Sequence, residues 1–415
     1  MKNCIVAQSG GPTVAINASL AGVISGALDS NQYDIVYGAL NGITGILDER
    51  VLNLTGIFQG KEELLKRLIR TPAMYLGSCR YKLPDMEEDP DVYKRIFQFF
   101  TEKEIDAFFY IGGNDSMDTV VRLAAYGKKI HSHVRVIGIP KTIDNDLCMT
   151  DHTPGFGSAA KYVASTFLEI AHDTYIYKVK SVTIVEVMGR DAGWLTAASI
   201  LARNEYNTAP HLIYLPERTF DKEEFLADVK ELLFRQHNVI VAVSEGIRDK
   251  DGRYISASDS ATDTFGHSQL SGTGKALESF LNQHLDVKIR SIELNVMQRC
   301  AAHIASETDL AEAERLGRKA VELAGEGKTD IMVCLRRVSN NPYTVVCESA
   351  PVAHIANEMK CVPDTYINGR GNGLTQEMVE YLKPLIQGEM PVEYRNGLPV
   401  YLPVEHLVSR EASKK

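Results

Sequence analysis

The sequence predicts an α/β fold in which helices cover both faces of doubly wound, mostly parallel sheets. Short, nearly continuous apolar runs recur along the chain, and each leads into a glycine-rich or polar turn. A stretch with helical spacing usually follows the turn, so strands and helices alternate. Continuous Val and Ile runs of this kind are typical of parallel strands that are buried on both faces. We therefore predict three-layer αβα units.

Individual elements follow from the same periodicity. Strands are predicted from the apolar runs at residues 4–7, 35–40, 107–111, 134–139, 182–187, 211–215 and 239–243. Helices are predicted at residues 17–28 and 308–324, and another is predicted to begin after Asp221, which suits an N-cap. Residues 331–337 and 343–347 are predicted to pair as strands around an Asn-Asn-Pro turn.

The length of the chain indicates two domains, because globular domains usually contain ~100–200 residues. The 415 residues are 44% hydrophobic and 24% charged, so the chain can bury ordinary globular cores. We predict one domain from residues 1–155 together with roughly 299–370, and a second from residues 156–298 with part of the C-terminal region. Residues 371–415 are expected to form a C-terminal helical region.

The composition points to a cytoplasmic protein. The formal net charge of −9 argues against nucleic acid or an anionic membrane as the main partner. The apolar run at residues 4–7 is too short for a signal peptide, and no stretch approaches ~18 apolar residues. The seven cysteines form no C-x-x-C pair and are expected to be reduced thiols. A small anionic ligand would need a local basic pocket.

Glycine-rich turns mark the first candidate site, because ligands of parallel sheets bind beyond the carboxyl ends of the strands. Ser9-Gly10-Gly11 follows the first strand, and its glycines allow backbone N–H groups to approach phosphate oxygens. An ordinary glycine turn is equally consistent with this segment. Gly112-Gly113 follows another strand and leads to Asn114 and Asp115, which as an alternative are simply helix-capping residues.

Residues 140–146 carry the most varied chemistry of the chain. A cation, Lys141, and a hydroxyl, Thr142, stand next to two carboxylates, Asp144 and Asp146. In phosphoryl transfer one carboxylate can accept the proton of the attacking hydroxyl while another holds Mg²⁺. A solvated acidic turn is the alternative, but such a turn has no particular need for Lys141 and Thr142.

Several arginines have the spacing to supply the basic pocket. Arg190 follows Met188-Gly189 after a strand, and Glu245 follows a later strand. Arg290 and Arg299 are expected to flank a further strand, and Arg80 follows a Gly-Ser turn. Each arginine alone is more often a surface residue than a ligand. Together they suit bidentate contacts with phosphate.

Taken together, these segments resemble the phosphofructokinase family. The resemblance runs from Ser9-Gly10-Gly11 to about Arg299, with a weaker echo at Gly371-Asn372-Gly373. Its most specific strings are Pro-x-Thr-Ile-Asp-Asn-Asp at residues 140–146 and Val-Glu-Val-Met-Gly-Arg at residues 185–190. The resemblance implies two doubly wound αβα domains. The first predicted domain would bind the phosphate donor and the second the sugar phosphate.

The resemblance also implies a role for each candidate residue. Asp144 matches the base that deprotonates the sugar 1-hydroxyl, and Gly11, Arg80 and Lys141 match contacts to the donor. One arginine of the family's sugar-phosphate set reaches across from a neighbouring subunit, and Arg290 matches it, so a homodimer or homotetramer with shared sites is implied. The positions that hold fructose 6-phosphate match Thr142, Asp144, Met188, Gly189, Arg190, Glu245, Arg290 and Arg299.

Two positions indicate the donor. ATP-using members of the family carry Gly at the positions of Asp115 and Lys141 in this chain. The carboxylate of Asp115 would occupy the space of a nucleotide's α-phosphate and repel it. Lys141 places a cation beside the transferring group. Both residues resemble the pyrophosphate-dependent branch of the family, and we count both with Asp144 as candidate catalytic residues.

The resemblance implies Mg²⁺ as the cofactor. Asn114, Asp115 and Asp146 match positions near the metal, but Asn114 replaces the acidic residue usual in the family. This replacement removes one hard anionic ligand, so Asp115 is expected to take over or the metal to bind through water.

The resemblance implies the reversible transfer of a phosphoryl group from diphosphate to fructose 6-phosphate, a step of glycolysis. Two alternatives within enzymes are an ATP-dependent phosphofructokinase and a kinase of sedoheptulose 7-phosphate. An alternative of another class is a non-catalytic regulatory subunit. Such a subunit would be expected to lose the base, whereas Asp144 is present.

Overall fold

The computed structural model describes residues 2–256, 272–356 and 358–408. Its strands are β1 (Asn3–Gln8), β2 (Ile35–Ala39), β3 (Val51–Asn53), β4 (Ile105–Gly112), β5 (Arg135–Pro140), β6 (Ser181–Val187), β7 (Leu212–Tyr214), β8 (Asn238–Ser244), β9 (Lys288–Glu293), β10 (Ile331–Asn340), β11 (Tyr343–Pro351), β12 (Tyr394–Arg395) and β13 (Leu398–Pro399).

Its α-helices are α1 (Ile16–Ser30), α2 (Ile43–Leu47), α3 (Leu54–Phe58), α4 (Glu62–Arg70), α5 (Pro90–Glu102), α6 (Asn114–Lys129), α7 (Phe156–Tyr175), α8 (Trp194–Ala197), α9 (Lys222–Arg235), α10 (Thr273–Asn282), α11 (Glu307–Gly325), α12 (Gln376–Leu382) and α13 (Glu405–Val408). The predicted alternation of strands and helices is therefore present.

The larger sheet has the strand order β11-β10-β5-β4-β1-β2-β3. Its central strands are parallel, and the antiparallel pairs β10–β11 and β2–β3 lie at its two edges. Along β1, Cys4 and Val6 pack in one core with α1 and α11, whereas Ile5 and Ala7 pack in another with α5 and α6. Because successive strand residues point to opposite faces, both faces of the sheet are covered by helices.

The smaller sheet has the order β7-β8-β6-β9 and is parallel throughout. Val185 and Val187 pack in a core with α7, and Val182 and Ile184 pack in a second core with α9 and α10. This sheet is thus also the middle layer of an αβα sandwich. The carboxyl ends of β1, β4 and β5 in one sheet and of β6 and β8 in the other contribute to one common cleft.

The predicted elements agree with the structure apart from their ends and two local features. The helix after Asp221 begins as predicted, and the Asp221 side chain accepts hydrogen bonds from the N–H groups of Glu223 and Glu224. Arg290 does not flank a strand, as was predicted, but lies inside β9. The C-terminal region is not wholly helical, because the hairpin β12–β13 lies between α12 and α13. Residues 409–415 of that predicted region lie outside the described residues.

All seven cysteines are free in the structure. Among the described residues, no helix combines the length and apolar character needed to cross a membrane.

A buried ionic network ties α11 to the loop after β5. The His152 ring lies between two carboxylates, with Nδ1 2.7 Å from Asp151 Oδ2 and Nε2 2.6 Å from Glu312 Oε2. Tyr343 Oη donates to the other oxygen of Glu312 at 2.9 Å. Burial alone would lower the pKa of His152, but the hydrogen bonds to Asp151 and Glu312 outweigh it and raise the pKa above its usual value.

We predict that the stability supplied by His152 depends on pH. It should be complete below about pH 6.5, the pKa of an unfolded histidine, and lost as the pH rises through the raised folded-state pKa. His152→Ala should lower the free energy of unfolding by about 3 kcal/mol near pH 6, because the buried Glu312 loses its cationic partner and Asp151 keeps only Arg337. The difference from wild type should shrink toward pH 9, as measured by urea unfolding.

His211 provides the matched control. Burial, assisted by Arg203, lowers its pKa to about 4, so this histidine is neutral across the same range. Because the unfolded histidine binds a proton below about pH 6.5 and the folded one does not, the loss of stability in His211→Ala should grow from pH 6 toward pH 9, opposite to the change expected for His152→Ala. A His152→Ala difference that stays constant between about pH 6 and 9, or grows with pH as that of His211→Ala does, would contradict a protonated His152.

Candidate active site

A cleft of about 480 Å³ lies where the strands of both sheets end. This volume is typical of small-molecule sites. The sequence-predicted residues that line it are Gly11, Arg80, Asn114, Asp115, Lys141, Thr142, Asp144, Asp146, Met188, Arg190, Glu245 and Arg299.

A buried lysine connects the ends of three neighbouring strands. Lys141 follows β5, and its Nζ donates to the carbonyl oxygen of Gly11, after β1, at 2.7 Å. Its backbone N–H donates to Gly112 O, at the end of β4, at 2.9 Å. The residue is only 2% exposed. Burial lowers the pKa of Lys141 to about 8, although Asp144 and Asp146 oppose this shift. The amine is thus held where the three strands end.

The carboxylate of Asp144 lies in a tight turn of the loop after β5. The backbone N–H of Asp144 donates to Thr142 Oγ1 at 3.1 Å, and that hydroxyl lies 3.3 Å from Asp144 Oδ2. The next residue, Asn145, has a φ of 54°, in the left-handed region that asparagine tolerates better than most residues. Burial raises the pKa of Asp144, and the Thr142 hydroxyl, Lys141 and Arg190 oppose that shift. The nearby cations therefore favour the ionised form that a base requires.

Two further carboxyl groups in the cleft have raised pKa values. Burial and the charge of Asp144 raise the pKa of Asp146 to about 7. Burial also raises the pKa of Glu245 to about 7, against the hydrogen bond donated by the backbone N–H of Gly189 at 3.3 Å. Carboxylates crowded in this way favour the approach of cations or hydroxyl donors.

The start of α6 forms one wall of the cleft. Asn114 and Asp115 occupy the first turn of this helix, behind Gly113, and Asp115 is exposed to the cleft. Ser116 Oγ is hydrogen-bonded to Ser9 Oγ at 2.9 Å, which joins α6 to the glycine loop after β1. The side chain of Asp115 is therefore placed beside the positions that would contact the donor.

The loop after β6 forms the opposite wall. A side chain at Gly246 would place its Cβ 1.7 Å from the carbonyl oxygen of Arg190, so only glycine permits this close packing. Gly189 has a φ of 141°, and its N–H donates to Glu245. These contacts fix the backbone that carries Met188 and Arg190 into the cleft.

Arg290 lies away from the cleft, whereas Gly189, the other predicted residue that does not line it, lies between the lining residues Met188 and Arg190. Its guanidinium donates to Asp173 Oδ2 and to Thr174 Oγ1, both at 2.9 Å, at the end of α7. It lines a separate surface depression with Tyr177 and Lys288. The site of a single chain is therefore assembled without Arg290.

Comparison with known proteins identifies the family. A family profile described as Phosphofructokinase matches residues 3–324. The chain belongs to the phosphofructokinase family. It is 40% identical over 413 residues to the pyrophosphate--fructose 6-phosphate 1-phosphotransferase of Halomonas elongata, with 99% of this chain and 98% of that protein covered.

A second relative and a solved structure agree. The enzyme of the same name from Xanthomonas campestris is 39% identical over 408 residues, covering 98% of this chain and 96% of that protein. The crystal structure of a pyrophosphate-dependent phosphofructokinase from Marinobacter aquaeolei superposes with a TM-score of 0.86 at 37% identity. The match covers 97% of this chain and 95% of that one. The predicted phosphofructokinase-type αβα fold is confirmed.

The residues of this phosphofructokinase suit a loosely held Mg²⁺. Within the described ranges, no three His, Cys, Asp or Glu side chains converge as a metal cage. Asn114 Oδ1 is nevertheless buried without a hydrogen-bond partner, and the carboxylates of Asp115 and Asp146 line the same cleft. Mg²⁺ commonly binds through one or two carboxylates together with water and substrate phosphate oxygens. The donor set therefore fits the ion expected from the resemblance.

The structure adds residues to the cleft that the sequence did not predict. Thr13 closely follows the glycine loop in the sequence, and Asp191 directly follows Arg190. Their positions beside predicted motifs could therefore have indicated that both line the cleft. Met359 lines the same cleft but comes from a segment after β11. No local pattern around Met359 indicates a site, because its placement depends on the packing of distant parts of the chain.

Proposed function

We propose that this chain is a pyrophosphate-dependent 6-phosphofructokinase. It reversibly transfers a phosphoryl group from diphosphate to the 1-hydroxyl of fructose 6-phosphate, giving fructose 1,6-bisphosphate in glycolysis. The observation that carries the proposal is one cleft lined by the carboxylate of Asp144, the buried amine of Lys141 and the guanidinium of Arg190, with both cations acting on that carboxylate. Relatives that match nearly the whole chain have the same named activity.

Asp144 acts as the general base in this proposal. It accepts the proton of the 1-hydroxyl while that oxygen attacks the phosphorus atom of diphosphate in line. The bond between phosphorus and the bridging oxygen breaks, and inorganic phosphate leaves. Arg190, Arg299 and Glu245 hold the sugar phosphate, so most of the rate gain comes from orientation and charge stabilisation.

The donor end of the cleft favours a bare diphosphate. Lys141, Gly11 and Arg80 supply the positive charge and backbone approach for its oxygens. Asp115 stands at the start of α6, where a nucleotide would extend beyond its second phosphate, and repels that extension. Mg²⁺, held by Asp115 and Asp146 with the Asn114 amide oxygen, would neutralise charge on the diphosphate when bound.

A second copy of the chain completes the site in this proposal. Arg290 lies on the surface near the exposed side chains of Tyr177 and Val179, outside its own cleft. Such a position suits an arginine that serves the sugar phosphate of a neighbouring subunit in a homodimer or homotetramer. The seven free thiols suit a reducing, cytoplasmic location.

Removal of the base should abolish most of the turnover. Asp144→Asn keeps the shape of the side chain but cannot accept a proton, so kcat should fall about 10²–10⁴-fold. The KM for fructose 6-phosphate should change much less. Steady-state kinetics in the forward direction measure both constants. Wild-type turnover in this variant would rule out the role of Asp144, whereas a wild type without any turnover would favour the regulatory-subunit alternative.

The choice of donor is tested by a coupled assay with fructose 6-phosphate as acceptor. The wild type should have a much higher kcat/KM with diphosphate than with ATP. Asp115→Gly should raise kcat/KM for ATP by about tenfold or more, because a like charge and its bulk are removed.

Asp118→Gly makes the same change within α6, at a residue paired with Arg122 rather than facing the cleft. It should leave the donor preference unchanged. ATP activity without diphosphate activity in the wild type would contradict the proposed donor. A parallel assay with sedoheptulose 7-phosphate in place of fructose 6-phosphate tests the alternative acceptor.

The shared site predicts complementation between two inactive variants. In a heterodimer of Arg290→Ala and Asp144→Asn chains, one site receives Asp144 from the first chain and Arg290 from the second. Random pairing of co-expressed chains should restore about one quarter of wild-type kcat.

Co-expression of Asp144→Asn with Glu245→Gln is the control, because both residues belong to the same chain's cleft and no pairing restores a complete site. Equal recovery in the two mixtures, or full activity of Arg290→Ala alone, would contradict the shared site.

A further inference from the structure

A short segment after β11 joins the two walls of the cleft. This bridging segment comprises residues 359–362. The N–H of Lys360 donates to the carbonyl oxygen of Asp146 at 2.8 Å, and the indole N–H of Trp194 donates to the carbonyl oxygen of Lys360 at 2.8 Å. The segment therefore touches both the loop after β5 and the start of α8, which follows the loop after β6.

The far end of the bridging segment is also anchored. Glu217 Oε1 accepts a hydrogen bond from the N–H of Val362 at 2.9 Å and another from the N–H of Gly193 at 2.8 Å. One carboxylate oxygen thus links the segment to the end of the loop that carries Arg190. These contacts leave the segment little freedom to move relative to either wall.

The side chain of Lys360 is directed into the loop that carries the base. Its Nζ donates to Asp151 O at 2.8 Å, to Thr150 O at 3.1 Å and to Asn145 Oδ1 at 3.3 Å. The ammonium also lies 5.4 Å from the centre of the Trp194 ring. An ammonium has three N–H donors, so these three bonds leave none for a substrate.

Asn145 connects this lysine to the reacting groups. It lies between Asp144 and Asp146 in the chain, is fully buried and has a left-handed backbone. Besides accepting from Lys360, its side chain donates to Tyr381 Oη at 2.9 Å. The direction of the flanking carboxylates depends on this single backbone conformation, because consecutive residues share their peptide planes.

We propose that Lys360 is a positioning residue for phosphoryl transfer. It holds the loop from Asp144 to Asp151 in the geometry that aims Asp144 at the acceptor hydroxyl. Its side chain binds Asn145 and its backbone binds Asp146, so it fixes both sides of that turn. The inference rests on the proposed function for its chemistry, but the contacts are independent of which donor is used. A displacement of about 1 Å at a reacting group can cost about 10²-fold in rate.

Lys360→Met tests this role, because methionine keeps much of the side-chain volume and removes the charge and donors. We expect kcat to fall about 10–100-fold, with the KM of both substrates within about threefold of wild type. Lys360→Arg retains a charged donor group and should recover part of the lost kcat. The emission of Trp194, the single tryptophan of the chain, should change in Lys360→Met because its cationic neighbour is gone.

Lys161 offers a matched control. Its Nζ is buried in the same manner and donates to Gly388 O at 2.6 Å, to Ala305 O at 3.4 Å and to Glu389 Oε1 at 3.0 Å. It does not line the cleft. Lys161→Met should lower the thermal midpoint as a buried donor is lost, but leave kcat within about twofold of wild type.

A double-variant cycle checks the route through Asn145. Asn145→Gly removes the side chain while glycine still tolerates the left-handed backbone. If Lys360 acts through Asn145, the double variant should lose less kcat than the product of the two single losses. Strictly multiplicative losses would overturn this route.

The outcomes separate the inference from the proposed function. If Lys360→Met lowers the thermal midpoint but keeps kcat, as expected for Lys161→Met, Lys360 is only structural and the proposal is wrong. A rise in KM with unchanged kcat would also overturn it, because Lys360 would then bind substrate. If the wild type uses ATP instead of diphosphate, the proposed donor is wrong. The ratio of wild-type kcat to Lys360→Met kcat is then measured with ATP and still tests the positioning role.

A readout without turnover covers the remaining case. If the wild type is inactive with every donor, hydrogen exchange at residues 144–151 decides the question. Lys360→Met should accelerate exchange in this loop and Lys161→Met should not. Equal exchange in both variants would overturn the positioning role.

Discussion

The hydrogen bond from the buried amine of Lys141 to Gly11 is the interaction on which the cleft depends. It joins the ends of β1 and β5 at 2.7 Å, and the backbone of Lys141 joins the end of β4. A buried cation is costly unless acceptors and opposite charges surround it. The carboxylates of Asp144 and Asp146 satisfy that need on one side. The same charge is then available to an anionic ligand on the other.

The electrostatics of the cleft follow from this burial. Asp146 and Glu245 both have pKa values raised to about 7, because burial and neighbouring carboxylates disfavour their ionised forms. Nearby cations limit this effect at Asp144 and favour its ionised form. The protein as a whole is acidic, yet its arginines and lysine converge where the strands end. Local placement, not net charge, makes the cleft suitable for phosphate groups.

Close backbone packing keeps these groups in place. A Cβ at Gly22 would lie 2.1 Å from the carbonyl oxygen of Glu314, and one at Gly317 would lie 2.2 Å from that of Ser19. These two glycines let α1 and α11 approach each other closely on one face of the larger sheet. Helix α1 begins just after the glycine loop, so this packing also supports the donor end of the cleft.

The sequence by itself determined the fold class and most of the cleft. Parallel strands end at one edge of a sheet, so residues directly after the apolar runs, such as Gly11, Asp115 and Asp144, had to meet there. Tertiary structure alone decided that Arg290 lies within β9 and away from the cleft, that Met359 reaches the cleft from beyond β11, and that Lys360 binds the loop after β5. Local spacing cannot encode such contacts, since they join segments more than one hundred residues apart. The pKa shifts also depend on burial, which exists only once the chain has packed.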